Sequence, residues 1–212
     1  MKLQMKPHNY PGKLIAFCGL DGSGKTTQIN LLKSFLENNN LPVHLTKQPT
    51  DSVRRSDIFR TYMDMENHEA YDYLALSLLC ASDRVQHSNR EIIPLLKKSD
   101  IVISDRYYYS CLANLLARGY ENQQWIYEIA RSIPQPDITF FMNINVETAV
   151  QRIRSRPEEK NRYIDMDLQY KLKDIFLKIA EANNGVIIET DKDEHQCFKI
   201  IKSVVNMVID NV

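Results

Sequence analysis

Leu14-Ile15-Ala16-Phe17-Cys18 runs directly into Gly19-Leu20-Asp21-Gly22-Ser23-Gly24-Lys25-Thr26, which fits G-x-x-x-x-G-K-[ST] in full. An apolar run of this length reads as a buried strand, and the glycines after it let the backbone wrap without a Cβ in the way. Several N–H groups then point inward and make a nest for an anion. The next segment, Thr26 to Glu37, places Ile29, Leu32 and Leu36 on one helical face, so a helix N-terminus is aimed at the same anion. Lys25 offers a mobile charge for β- and γ-phosphates, and Thr26 a hydroxyl for Mg²⁺. A chance glycine turn would lack both the strand before it and the helix after it.

Outward from this point the chain alternates. Short apolar runs bounded by Gly, Pro, Asp or Asn recur at Val43 to Thr46, Ile101 to Ser104, Ile138 to Asn143 and Val186 to Glu189. Helical periodicity fills the intervals, over Tyr71 to Leu96, Tyr163 to Ala182 and Cys197 to Ile209. Strands alternating with helices need crossover connections, which predicts a five-stranded parallel sheet covered on both faces, a three-layer α/β/α fold. Such sheets bind ligands outside the carboxyl ends of their strands, and the polar residues that follow Cys18, Thr46 and Ser104 fall there.

The bulk properties narrow the functional classes. The 212 residues suit one domain, 43% hydrophobic and 25% charged. Lys plus Arg and Asp plus Glu both total 27, so no global field favours a nucleic acid polymer or a membrane surface. No stretch approaches the ~18 apolar residues of a membrane span, and the N-terminus lacks a secretory apolar run, which predicts a cytoplasmic protein. Cys18, Cys80, Cys111 and Cys197 form no C-x-x-C pair, and His8, His44, His68, His87 and His195 show no metal-ligand spacing. Trp125, with Tyr127 and Ile129 nearby, reads as helix packing.

A second anion site is expected where Ile101-Val102-Ile103-Ser104 delivers Asp105-Arg106-Tyr107 to the ligand edge. Asp105 suits Mg²⁺ or its waters, and the Arg106 fork suits a phosphate. In isolation an Asp-Arg pair reads as a structural ion pair; one strand away from a phosphate loop it reads as function. Farther on, Arg152, Arg154, Arg156, Lys160 and Arg162 crowd into eleven residues, interrupted by Pro157. Proline disfavours helix at Arg156, so a helix from Val146 should break into a loop there. That loop is either an arginine lid at about 152–165 or a solvated helix end paired with Glu158 and Glu159.

These landmarks, in order, resemble the thymidylate kinase family over almost the whole chain: CGLDGSGKTTQ, TKQPTDS, SLLCASDRVQH, VISDRYYYS, PQPDITFFMNIN and RIRSRPEEKNRY. The resemblance implies ATP-dependent phosphorylation of a nucleoside monophosphate, dTMP to dTDP, by a homodimer with Mg²⁺. It places Gly19 through Thr26, Thr27 and Arg152 on ATP, with Lys25 central to catalysis. Asp21 faces the acceptor sugar, Arg84 hydrogen-bonds the acceptor base, and Asp105 and Arg106 stand between metal and acceptor phosphate. Lys47 and Arg60 are further candidates for that phosphate. Because Gly22 offers no cation inside the loop, the lid is expected to supply it, with Arg152, Arg156 and Arg162 at lid positions and Arg156 at the transition state.

Departures gather on the acceptor side. Cys80 stands where the family usually has a phenylalanine that stacks on the base, a contact worth ~1–3 kcal/mol. Asn114-Leu115 replace Tyr-Gln, Lys47-Gln48-Pro49 replace Arg-Glu-Pro, Cys18 replaces an acid, and Pro157 and Ile164 replace Gly and Glu. Either Tyr107, Tyr108 or Tyr109 supplies a stack, or the pocket takes another base. Two alternatives stay open: a kinase of a nucleoside or another nucleotide, and a non-catalytic nucleotide-binding relative. A GTPase would carry N-K-x-D, and Thr190-Asp191-Lys192-Asp193 lacks the Asn. The turn at Glu189 to Lys192 either touches adenine or is simply solvated.

Overall fold

A computed structural model describes residues 1–64 and 70–209, so His68 lies outside the described residues. Five strands, β1 (Lys13–Gly19), β2 (Val43–Lys47), β3 (Ile101–Asp105), β4 (Ile138–Asn143) and β5 (Val186–Glu189), form one parallel sheet in the order β2-β3-β1-β4-β5. Every strand foreseen in the sequence is present. β1 is central, and its two faces divide the core. Leu14, Ala16 and Cys18 join one apolar cluster, Ile15 and Phe17 the other. Burial on both faces explains why β1, β3 and β4 read as continuous apolar runs and not as alternating ones.

One layer is α1 (Lys25–Asn38) with the C-terminal helix. The connection from β2 to β3 carries α2 (Asp51–Arg54), α3 (Asp57–Asp64), α4 (Tyr73–His87) and α5 (Ile93–Lys97). After β3 come α6 (Tyr108–Ala117) and α7 (Trp125–Ala130); after β4, α8 (Val146–Arg154) and α9 (Met166–Ala182); after β5, α10 (Glu194–Ile209). Ile29, Leu32 and Leu36 of α1 meet Ile201 and Val205 of α10 over Ile15 and Phe17. The opposite face is covered by α4 to α7 and α9.

The single helix expected over Tyr71 to Leu96 is divided. Asp72 accepts from Leu74 N at 2.6 Å and Ala75 N at 3.4 Å, so α4 begins at Tyr73. Ser88–Ile92 form a π-helical turn before α5, where Pro94 lacks the N–H a regular turn would use. The helix expected from Tyr163 starts at Met166, because Asp165 caps it by accepting from Leu168 N at 3.0 Å. Asp193 likewise accepts from His195 N and Gln196 N, which starts α10 three residues before Cys197. The expected break after Val146 is seen: Arg156 is extended, and a 3₁₀ turn follows at Pro157–Glu159.

Candidate active site

The carboxyl ends of β1, β2 and β3 open into a cleft of about 1180 Å³. It is walled by the loop of residues 19–27, by α3, α4 and α6, and by the segment 153–176. The loop is tightly built. Gly22 has φ +77°, and a Cβ there would stand 2.3 Å from the Ala149 carbonyl oxygen on α8. Only glycine fits that approach. Lys25 Nζ donates to the carbonyls of Leu20 at 2.5 Å and Gly19 at 3.2 Å. Burial, then the Arg106 cation, bring its ammonium down to about 8 against the opposing pull of Asp21 and Asp105. Thr26 and Thr27 stand exposed at the start of α1 beside the cleft.

Asp105 and Arg106 arrive beside this loop. Phe17 pairs with Asp105 in the β1–β3 register, and Arg106 N donates to Phe17 O at 2.8 Å. Arg106 has φ +69°, a left-handed value uncommon for a side-chain-bearing residue, and Ser104 Oγ donates to its carbonyl at 2.7 Å. Its guanidinium donates to Gly19 O at 3.1 Å and pairs with Asp21. Burial alone would push the Asp21 carboxyl up; Arg106, Lys25 and Arg162 outweigh it and hold the group well below the ordinary carboxylate range. Asp105 lies 3.8 Å from Lys47 Nζ. Its Oδ1 is buried without a hydrogen-bond partner, an arrangement that suits a cation or a cation-bound water.

The lid arginines take different stations. Arg162 donates to Asp21 Oδ2 at 3.2 Å and to Glu159 Oε2 at 2.7 Å. Arg156 lines the cleft farther out, 3.7 Å from Glu159. Arg152 lies behind the loop, where its guanidinium donates to Thr190 O at 3.3 Å and sits close to Gly24.

Lys47, Arg60 and Arg84, expected to serve the acceptor, all line the cleft. Arg84 is 2% exposed; Nη1 donates to Cys80 O at 2.9 Å, and Nε has no partner. Tyr107 does not come to the cleft. It is 0% exposed, and its hydroxyl donates to Pro134 O at 2.6 Å. Tyr108 donates to Ile126 O, and Tyr109 packs edge-on against Phe141, so none of the three supplies the expected stack. All three join the apolar cluster under α4 to α7 and α9, and burial decides their direction.

Several residues escaped sequence reasoning. Arg54 lines the cleft, donating from Nε to Pro49 O at 2.7 Å, and its only sequence signal was charge near the second strand end. Asp83 accepts from Thr50 N at 2.8 Å and Thr50 Oγ1 at 2.5 Å, fixing the turn that carries Arg54. His87 pins the same turn: Nε2 pairs with Thr46 Oγ1 at 2.7 Å, and Gln48 Nε2 donates to Nδ1 at 3.0 Å.

The sequence profile of a family described as thymidylate kinase matches residues 17–201. A probable thymidylate kinase of Thermococcus kodakarensis is 37% identical over 168 residues, 77% of this chain and 82% of the relative. A probable thymidylate kinase 1 of Saccharolobus solfataricus is 35% identical over 198 residues, 90% of this chain and 97% of its own. A thymidylate kinase of Prochlorococcus marinus is 32% identical over 213 residues, 94% of this chain and 99% of its own.

Proposed function

The chain belongs to the thymidylate kinase family, and from that premise we propose how its cleft transfers the γ-phosphoryl group of ATP to dTMP, giving dTDP. The observation that carries the reading is the bonding of Arg106. One guanidinium bonds Gly19 O and Asp21 in the donor loop while its backbone N–H is tied to Phe17 O. The acceptor's cation and the donor's cradle are therefore parts of one hydrogen-bonded unit.

In this reading the loop N–H groups and Lys25 hold the β- and γ-phosphates, and Arg106, with Lys47, Arg54 and Arg60 nearby, holds the acceptor phosphate. An oxygen of the acceptor phosphate attacks the γ-phosphorus, the bond to the β–γ bridging oxygen breaks, and ADP leaves. No protein nucleophile is needed; positioning and charge neutralisation suffice. Thr26 and Asp105 would hold Mg²⁺ or its waters, and the ion would supply charge neutralisation to the transferring group. Arg156 and Arg162 bring lid charge to the transferring group, and Arg152 serves the ATP side. The chain acts as one kinase unit with 152–165 as its lid.

Among the described residues no helix is long and apolar enough to cross a membrane, and we place the enzyme in the cytoplasm. We also place it as a homodimer joined through its helices. Leu78 and Leu79, 43% and 39% exposed on the outer face of α4, support that placement, and light scattering against concentration tests it. An ADP-release assay against a panel of nucleoside and deoxynucleoside monophosphates, with thymidine alongside, tests the reaction. Turnover with dTMP and none with thymidine is expected; phosphorylation of thymidine without dTMP would overturn it.

A further inference from the structure

The acceptor end of the cleft is a slot between two helical stripes. On α4, Ser77 and Cys80 are small, and Arg84 closes the inner end with a buried guanidinium whose Nε is unpartnered. Across the slot, α6 offers Cys111 and Asn114. Position 80 thus presents a thiol and no flat surface, and Tyr107, Tyr108 and Tyr109 face the core. A base entering here needs a plane to lie against, because base stacking on a flat side chain is a principal source of affinity in such sites.

The structure provides one plane at the outer end. Tyr73 begins α4 on the same helical face as Ser77 and Arg84, and it lines the cleft. The Arg118 guanidinium carbon lies 4.0 Å from the centroid of its ring. Arg118 is itself tethered: Nη1 donates to Asn114 Oδ1 at 2.8 Å and to Asn114 O at 3.3 Å. Asn114 is fixed in turn by donating from Nδ2 to Ser110 O at 2.9 Å. Tyr62 of α3 meets the Tyr73 ring edge to face, with centroids 5.2 Å apart and planes at 78°. These tethers hold the guanidinium over the ring before any ligand arrives, and such preorganisation lowers the entropic cost of binding.

We propose that the Tyr73–Arg118 stack is the planar wall on which the pyrimidine of the acceptor monophosphate seats, replacing an aromatic at position 80. The proposal rests on the dTMP reading above. A guanidinium offers a flat cationic face to a base; a lysine ammonium, a point charge, does not. Arg84 then meets the edge of the base from the inner end with its unspent donor.

The test is steady-state kinetics of the full chain with dTMP varied at saturating ATP, then ATP varied at saturating dTMP. Arg118→Lys and Tyr73→Leu are each expected to raise the dTMP KM about ten- to a hundred-fold with the ATP KM unchanged. Adding Cys80→Phe to Arg118→Lys is expected to bring the dTMP KM back to within a few-fold of wild type, a rescue that a merely structural role would not give. If Tyr73→Leu does not fold, shown by its unfolding midpoint, Arg118→Lys and the rescue decide. A dTMP KM within twofold of wild type in Arg118→Lys overturns the proposal, as does an equal rise in both KM values. Should wild type prefer another monophosphate, the dTMP reading fails, and the same variants are run with that acceptor.

Discussion

The donor half and the acceptor half of the cleft are built on opposite plans. In the proposed reading the donor half is nine consecutive residues, Gly19 to Thr27, which line the cleft and would grip phosphate mostly through backbone N–H groups. The proposed acceptor half would draw Lys47 from β2, Arg54 from α2, Arg60 from α3, Tyr73 and Arg84 from α4, and Arg118 from just past α6, all of which line the cleft. Backbone grips need particular φ values and close approaches, which restrict the sequence locally. Side-chain grips need only that distant elements pack correctly, and many residue choices meet that demand. One half can therefore change its substrate while the other keeps its chemistry.

Separate disruption of the two halves is the strongest test. Lys25→Ala is expected to lower turnover by ~10³-fold while the dTMP Kd, read by calorimetry, moves less than twofold. Loss of dTMP binding in that variant would break the division. Arg106→Ala sharpens it by hitting both sides: turnover falls ~10²–10³-fold and both affinities weaken, because its guanidinium spans Gly19 O and Asp21.

Gly22→Ala forces a Cβ against the Ala149 carbonyl at φ +77°. Urea unfolding is expected to show a loss of ~1–3 kcal/mol, and ATP affinity to fall by roughly ten-fold or more, with dTMP affinity preserved. The pH dependence is smaller and one-sided. Lys25 is charged below about 8, and bound phosphates favour that charged form, so ATP binding takes up a proton above this value. Affinity for ATP is expected to be about ten-fold weaker at pH 9 than at pH 7, checked by calorimetry in buffers of different ionisation enthalpy. The smallest effect concerns the lid. Arg156→Ala, at the more distant station, is expected to lower turnover several-fold, roughly, and Arg162→Ala to lower it more. The reverse order would make Arg156 the principal lid cation, as the sequence leads one to expect.

The legibility of the sequence follows the same division. β1, its loop and the Asp105-Arg106 corner were readable because strand, glycine and polar residue must be adjacent to work. The turn at Arg156 was readable because Pro157 constrains its neighbour. Tyr107 misled, because a tyrosine after a strand end can turn to the cleft or to the core, and here the core took it. α6 was missed since eight of its ten residues are buried and show no periodicity. Arg54 and Arg118 carry no local signature; only the packing of α2 and α6 around α4 brings them to the slot.

Asp21 has a consequence for which ligands can engage this enzyme. Its carboxylate is shared by Arg106 and Arg162, so part of the guanidinium charge beside the loop is already neutralised when an oxyanion arrives. The loop's own acid is therefore expected to set a charge threshold, and a dTMP KM that stays the same from low to high chloride would be its signature.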